Sequence, residues 1–163
     1  MNTDAALDRA VEILAPWATI ASRPEPTRVD VAVAASDLVA AVHALRESGW
    51  GYLAALTGLD LGPDVGAIEA LYHFCRGAAI LTLRVRTPRM GASVPSICGV
   101  VPSASFFERE LSEMFGVTVA GTPDPRRLFL PDDWPDGVYP LLKESAPAAG
   151  AADGDAGQGH AES

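Results

Sequence analysis

Three glutamates within one short stretch, SFFERELSEMF, have a residue type and a spacing that could do chemistry: Glu108, Glu110 and Glu113. Paired carboxylates can serve as an acid and a base when their surroundings push their pKa values apart. Hard metal ions need several converging oxygen ligands. Glu110 and Glu113 share one helical face, but no histidine joins them at ligand spacing. The pattern therefore favours capping and charge pairing over catalysis.

Both ends of this stretch carry helix signals. Ser105 and Glu108 have the spacing of a capping box, and Gly116 stands where a helix would end. Arg109 and Glu113 lie four residues apart and are expected to pair on the exposed side, contributing about 0.2–0.5 kcal/mol. We therefore predict a helix over 105–115. Its glutamates would act as a cap, as solvated charge or as ion-pair partners for another protein.

After this helix the chain becomes a proline-rich arm with large apolar and cationic side chains. The segment Thr122 to Pro125 favours an extended path, because each proline restricts itself and its predecessor. Arg126 and Arg127 offer forked donors, and Trp134 is a residue type typical of interface anchors. Three interpretations stay open: the arm wraps back on its own domain, docks on another subunit or holds a phosphate. The last has little support, because no glycine-rich phosphate loop accompanies the arginines.

Other candidate chemical groups are isolated. Cys75 and Cys98 form no CxxC pair, so we expect reduced, buried thiols, and two lone cysteines cannot hold an iron–sulfur cluster. The three histidines are too scattered in sequence to indicate a metal site. The serines near 96–105 lack a nucleophile elbow.

Alternating helices and strands would position these residues. Thr3 can cap a first helix that Pro16 stops, and a second helix would run from Ser36 or Asp37 to Gly49. Pro24 and Pro26 indicate a loop. Strands are predicted over 29–33, 50–57, 67–74, 79–86, 94–101 and 117–119, the third and fourth of them as a hairpin.

The strand over 79–86 alternates, with Thr82, Arg84 and Arg86 expected to face outward. Half-buried alternation is typical of a sheet that helices cover on one face. The predicted fold is therefore α+β: a two-layer domain with helices on one face of a mixed β-sheet, followed by an extended C-terminal arm. We place the α+β domain at 1–120, the docking arm at 121–144 and a disordered, low-complexity tail at 145–163.

Composition limits the possible functions. A chain of 163 residues with 48% apolar residues suits one domain with a real core. The net charge of −9 opposes sequence-independent binding to nucleic acid or anionic membranes. The N-terminus lacks the features of a signal peptide, and no window approaches the roughly 20 apolar residues of a membrane span. Membrane contact is therefore expected only through a partner.

Six segments in order resemble the thirty-kilodalton subunit family of respiratory complex I, the NADH-quinone oxidoreductase. This family includes related small subunits of energy-converting, membrane-bound nickel–iron hydrogenases. The segments are GYLAALTGLDL, LYHF, LTLRVRTP, VPSICGVVPSASFFERELSEMFGV, GTPDPRRLFLPDDWP and YPLLK. The likeness covers Gly49 to Lys143 and is densest from Val94 onward. The combination of ERE, MFG, PD-x-RR and LPDDWP in this order is specific, although no single element is.

The resemblance implies a cofactor-free subunit without its own chemistry, whose C-terminal extension lies over a large catalytic subunit. That partner would be of the complex I forty-nine-kilodalton or hydrogenase large-subunit type. Cluster-bearing subunits would be further partners, with iron–sulfur clusters, quinone, and flavin or nickel–iron held outside this chain. The implied location is peripheral, on the cytoplasmic side of the inner membrane. The implied partner-docking residues are Glu108, Glu110, Phe115, Asp124, Arg126, Arg127, Asp132 and Trp134.

Some positions depart from the family pattern. Thr122 stands where the family usually has histidine, Leu142 where it has arginine, Glu113 where it has aspartate, and Ser112 where tyrosine is common. Pro125 and the segment GVYPL are closer to the hydrogenase branch.

The leading hypothesis is a non-catalytic peripheral-arm subunit of a complex I-like NADH-quinone oxidoreductase. It would brace the cluster- and quinone-site-bearing subunits for electron transfer coupled to ion translocation. The alternatives are the equivalent subunit of a membrane-bound, energy-converting nickel–iron hydrogenase, an independent enzyme using Glu110 and Glu113, or an adaptor outside bioenergetics.

Overall fold

The structure is a computed structural model that describes residues 2–143, so the predicted tail at 145–163 lies outside the described residues. A short 3-10 turn at Ala35–Asp37 precedes the second helix. The helices and strands are, in chain order, α1 (Thr3–Leu14), β1 (Ala18–Glu25), β2 (Arg28–Val33), α2 (Leu38–Glu47), β3 (Tyr52–Asp60), β4 (Ala67–Arg76), β5 (Ala79–Pro88), β6 (Ser93–Pro95), α3 (Ala104–Phe115) and β7 (Thr118–Ala120).

Five of the strands form one mixed sheet in the order β1-β2-β5-β4-β3. Strands β2 and β5 run parallel, and the other neighbours are antiparallel. The predicted β4–β5 hairpin is confirmed, with Gly77 in the left-handed region at φ 60° in its turn. Strands β6 and β7 form a separate parallel pair beside α3.

The three helices cover one face of this sheet. Val31, Tyr72 and Leu83 lie side by side on neighbouring strands and are fully buried. The α1 helix packs on β2 and β5, and α3 packs on β3. The indole N–H of Trp50 donates to the carbonyl of Ala6 at 2.8 Å and so joins the β3 end of the core to α1. The predicted two-layer α+β fold is confirmed.

Strand β1 corrects the prediction of a loop around Pro24 and Pro26. Nearly all its side chains are exposed, so its sequence shows no alternation of apolar and polar residues. It pairs with β2 at the rim of the sheet, where a proline is tolerated because one edge needs no ladder hydrogen bonds. Arg23 of this strand also reaches Asp4 of α1 at 3.3 Å.

Two local predictions were wrong. Asn2, not Thr3, caps α1, with its side-chain oxygen accepting from the amide of Asp4 at 3.0 Å. Of the strand predicted over 94–101, only β6 forms, because the chain then turns to bring the amide of Ile97 to a buried carboxylate. Thr82 lies with Arg84 and Arg86 on the sheet face away from the helices, as predicted, but it is fully buried there on the central strand, with its hydroxyl 3.0 Å from Nδ1 of His73.

Candidate partner-docking site

The α3 helix begins one residue earlier than predicted, and its start changes the role of the first glutamate. Its N-cap is Ser103, which makes no side-chain capping bond. Ser105 therefore lies inside the first turn, and the capping-box interpretation of Ser105 and Glu108 is wrong. The side chain of Glu108 points into the domain, on the same side as Leu111 and Phe115, and the residue is 1% exposed.

Glu108 binds the loop that follows β6. Its carboxylate accepts hydrogen bonds from the Ser96 hydroxyl at 2.7 Å, the Ile97 amide at 2.7 Å and the Cys98 thiol at 3.1 Å. Burial, together with the Glu108 carboxylate, raises the pKa of the Cys98 thiol to about 11 against the opposing hydrogen bond from Ser96. The thiol therefore stays protonated and donates. A buried carboxylate requires such donors, so Glu108 fastens this loop to α3.

Glu113 is also buried, and it binds the arm. Its carboxylate accepts from three consecutive amides of the arm: Leu128 at 3.2 and 3.3 Å, Phe129 at 2.9 Å and Leu130 at 2.7 Å. Each carboxylate oxygen takes part in two of these contacts. The predicted ion pair with Arg109 on the exposed side is therefore wrong, because both residues turn towards the arm instead.

Arg109, one helical turn before Glu113, binds the preceding residues of the arm. Its guanidinium donates to the carbonyl of Arg126 at 2.7 Å and to the carbonyl of Arg127, and it pairs with Asp124 at 3.3 Å. A cation and an anion on one face of α3 thus bind successive carbonyls and amides of the arm. Of the open interpretations, the arm does wrap back on its own domain.

The two adjacent arginines of the arm have different roles. Arg127 points inward along the arm and donates to the carbonyl of Trp134 at 3.0 Å and to Asp136 at 2.8 Å. Arg126 is 81% exposed at its side chain and pairs with Asp124 at 2.8 Å. This hydrogen bond from Arg126 holds the pKa of Asp124 well below its usual range. Arg126 therefore presents its guanidinium to solvent, while Arg127 shapes the arm.

The far end of the arm is held by a residue for which the sequence pattern predicted no role. Asp60, at the end of β3, binds Arg89 at 3.0 Å and accepts from the amides of Gly62 at 2.9 Å and Lys143 at 2.8 Å. Arg89 also donates to the carbonyl of Lys143. Burial raises the pKa of Asp60, but the Arg89 and amide hydrogen bonds outweigh it and lower the value to about 2.

A close contact joins the arm to the end of α3. Gly116 has φ 71°, and a Cβ added there would lie 2.5 Å from the ring of Tyr139. Gly116→Ala should therefore cost both backbone strain, about 1 kcal/mol, and displacement of the tyrosine ring. We expect a total loss of about 2–3 kcal/mol in the free energy of unfolding, measured by urea titration.

Gly121→Ala is the matched control, because Gly121 has φ 78° but nothing within 4 Å of the added Cβ. The Gly121→Ala variant should lose only the contribution of backbone strain, about 1 kcal/mol in the free energy of unfolding. Equal losses at the two positions would show that the Tyr139 contact contributes nothing.

The outward side of this site exposes large apolar side chains beside the Arg126 guanidinium and the Asp132 and Asp136 carboxylates. Phe129 is 63% exposed although its backbone amide is fixed by Glu113. Val138, Leu141 and, on α3, Phe106 are exposed as well. A cavity of about 330 Å³ lies beneath the arm and is lined by residues of α3, β7 and the arm, among them Thr122 and Trp134. Within residues 2–143 the buried hydroxyl of Thr122 has no hydrogen-bond partner.

The predicted docking residues divide into three groups. Glu108 and Phe115 are buried in the domain, with Phe115 packed against Gly58, so neither lies on the surface. Trp134 is half-buried, and its indole N–H donates to the carbonyl of Val138 at 2.9 Å. The remaining residues lie on or near α3 and the arm with some exposure: Glu110, Asp124, Arg126, Arg127 and Asp132.

Two further properties concern the described part of the chain. Among residues 2–143, no group of three or more histidine, cysteine or acidic side chains is placed to hold a metal ion. None of the helices in that range has both the length and the apolar character to span a bilayer.

The fold and this site define a class of protein: a small α+β domain that fixes an extended arm on its helix α3 and presents the arm's outer side to solvent. Residues 31–150 match the family described as the 30-kDa subunit of respiratory-chain NADH dehydrogenase. The chain belongs to this family, as the sequence resemblance predicted.

Curated relatives come from both branches of the family. The chain is 36% identical over 115 residues to an NADH-quinone oxidoreductase subunit of Moorella thermoacetica, covering 69% of this chain and 76% of that protein. It is 31% identical over 155 residues to hydrogenase-4 component G of Escherichia coli, covering 89% of this chain and 28% of that protein. It is 48% identical over 65 residues to formate hydrogenlyase subunit 5 of Escherichia coli, covering 40% of this chain and 11% of that protein. The chain thus spans less than a third of either of these two Escherichia coli relatives.

Solved structures share the fold. A chain of the membrane-bound sulfane sulfur reductase, an archaeal respiratory membrane complex, matches with a TM-score of 0.69 at 23% identity, covering 85% of this chain and 82% of that one. The trypsin-resistant fragment (1–134) of Nqo5 matches with a TM-score of 0.59 at 19% identity, covering 76% of this chain and 99% of that fragment.

Proposed function

We propose that this chain is a non-catalytic subunit in the peripheral part of a complex I-like NADH-quinone oxidoreductase. It would brace the subunits that carry the iron–sulfur clusters, the quinone site and the flavin. Its arm would dock on the large catalytic subunit. The chain would contact the membrane only through the complex, on the cytoplasmic side. Family membership and the NADH-quinone oxidoreductase relative support this proposal.

One structural observation carries the docking role. The arm has no helix or strand after β7 as far as Lys143, yet its backbone is fixed at three places by Arg109, Glu113 and Asp60. A segment held in this way loses little conformational entropy when it binds. The fixed backbone also keeps Phe129 and Arg126 on the outside, and aromatic and arginine side chains are enriched in protein interfaces.

A second candidate is the equivalent subunit of a membrane-bound nickel–iron hydrogenase. The 48% identity over 65 residues to formate hydrogenlyase subunit 5 favours it. The independent-enzyme interpretation is weaker, because both oxygens of Glu113 already accept amides of the arm.

Native purification of the tagged chain distinguishes these candidates. Companion subunits with iron, flavin and NADH oxidation would support the complex I type. Iron together with nickel would support the hydrogenase type. If the chain purifies alone and has an enzymatic activity of its own, both the complex I and the hydrogenase candidates are contradicted.

The arm surface can be tested by substitution. Phe129→Asp and Arg126→Ala should each lower the recovery of companion subunits about tenfold, which corresponds to about 1.4 kcal/mol of binding free energy. The side chains are exposed in the free chain, so its melting temperature should stay unchanged.

Val39→Asp on α2 is the control, because Val39 is another exposed apolar residue on a different surface. It should leave recovery unchanged. If Phe129→Asp, Arg126→Ala and Val39→Asp behave alike, the arm is not the docking surface.

A further inference from the structure

We propose that the chain has a second docking surface, on the sheet face opposite the helices, which binds an acidic segment of a companion subunit. This inference rests on the proposed function, because it requires companion subunits. The three helices lie on the other side, and the face itself exposes apolar residues at both rims: Ile20 of β1, 68% exposed, and Leu59 of β3.

Charged side chains occupy the middle of this face in two layers. The layer next to the sheet consists of the carboxylates of Asp30 and Glu69, which are almost completely buried, and the layer above it consists of three arginine side chains. Arg28 binds Asp30 at 2.6 Å, Arg84 binds Glu69 at 3.1 Å and Asp30 at 3.3 Å, and Arg86 binds Glu69 at 3.2 Å. The three guanidinium groups cover the two carboxylates and remain partly exposed themselves.

The exposed layer of this cluster is cationic, although the chain as a whole carries a net charge of −9. Three guanidinium groups stand over two buried carboxylates, and a third acid, Glu25 of β1, lies opposite Arg28 at the end of the strand pair away from Arg86. The Arg86 side chain is 61% exposed and contacts Glu69 through one edge, so its remaining N–H donors face outward. A planar guanidinium in this position can bind a further carboxylate with two parallel hydrogen bonds.

A groove of about 430 Å³ lies next to these arginines and gives the surface its shape. Its lining includes Ile20 of β1, Ala32 of β2, and Arg84 and Arg86 of β5, together with the carboxylates of Asp30 and Glu69. A groove that combines apolar side chains with exposed guanidinium groups is complementary to a peptide that carries both aliphatic and carboxylate side chains.

The occupant can be identified by site-specific crosslinking in the native complex. A photoreactive amino acid replaces Ile20 in the tagged chain, and the crosslinked peptide is sequenced by mass spectrometry. We expect a companion-subunit peptide rich in aspartate or glutamate. A photoreactive amino acid at Val39 on α2 serves as the control and should not yield this peptide.

Charge reversal provides the second measurement. Arg86→Glu should lower the yield of that crosslink about tenfold, and Arg86→Gln, which does not repel Glu69, should lower it severalfold. Arg9→Glu is the matched control, because Arg9 on α1 has a 60% exposed side chain and also pairs with one glutamate. It should change the yield less than twofold.

The outcomes separate this inference from the proposed function. If companions co-purify but Ile20 crosslinks to none of them, the second surface is refuted and the arm docking stands. A crosslink to residues 144–163 of the same chain, or to a second copy, would also refute it by identifying a different occupant. If no companions co-purify at all, both proposals fail.

Discussion

Asp60→Ala should lower the free energy of unfolding by about 3–5 kcal/mol, the range for removing one partner of a buried ion pair. The carboxylate is almost inaccessible and binds the Arg89 guanidinium and two backbone amides. Its loss would leave the largely buried Arg89 guanidinium without its counter-charge and the amides of Gly62 and Lys143 without their acceptor. Urea unfolding of the variant and the parent chain would measure the difference. Asp64→Ala is the control, because Asp64 is exposed in the same β3–β4 connection and should change stability by less than about 0.5 kcal/mol.

The pH dependence gives an independent test of the same contact. The pKa of Asp60 is about 2 in the folded chain against an ordinary value of 3.8, so folding favours the ionised carboxylate. Its contribution is therefore fully present above pH 3.8 and is lost as the pH falls towards 2. The shift corresponds to about 2.5 kcal/mol. The stability difference between the parent chain and Asp60→Asn should shrink by most of this amount, about 2 kcal/mol, between pH 5 and pH 2. A difference that stays constant with pH would contradict this assignment.

The helices and strands that could be predicted are those in which apolar residues recur with the period of a helix or a strand. The β4–β5 hairpin and α2 follow from alternation and from helical spacing, and both are present. Strand β1 could not be predicted in this way, because a rim strand with exposed side chains has no apolar periodicity. The partner of Asp60 could not be predicted either. Lys143 lies 83 residues away in sequence, and only the tertiary fold brings the two together.

The roles of the glutamates were missed for a different physical reason. Charged residues on a helix usually stay at the surface, so we expected Glu108 to complete a capping box with Ser105 and Glu113 to pair with Arg109 on the exposed side. Glu108 nevertheless shares a helical face with Leu111 and Phe115, all three of them buried. The sequence did contain a signal for this: Glu108 is spaced so that it falls on the apolar face of an amphipathic helix. This spacing indicates a buried acceptor that requires backbone or side-chain donors from elsewhere in the fold.

These internal contacts hold the arm against the domain. The interpretations of wrapping and docking, which seemed to compete at the level of sequence, are therefore compatible. Arg109 and Arg127 bind carbonyls of the arm and fix its path. Arg126 and Phe129, their neighbours in sequence, point outward. A surface that is preformed in this way binds without a large ordering penalty.

Glu113→Ala tests whether the arm depends on α3. Removing the carboxylate deletes the shared acceptor of the amides of Leu128, Phe129 and Leu130. A hydrogen bond to a charged group contributes about 1.5–3 kcal/mol, so exchange of these amides should accelerate about a hundredfold. Hydrogen–deuterium exchange with mass spectrometry over 122–143 would measure the change, while the β4–β5 hairpin should stay protected. Glu110→Ala on the same helix is the control and should leave the arm unchanged. If the arm stays protected in Glu113→Ala, or opens equally in both variants, Glu113 does not hold it.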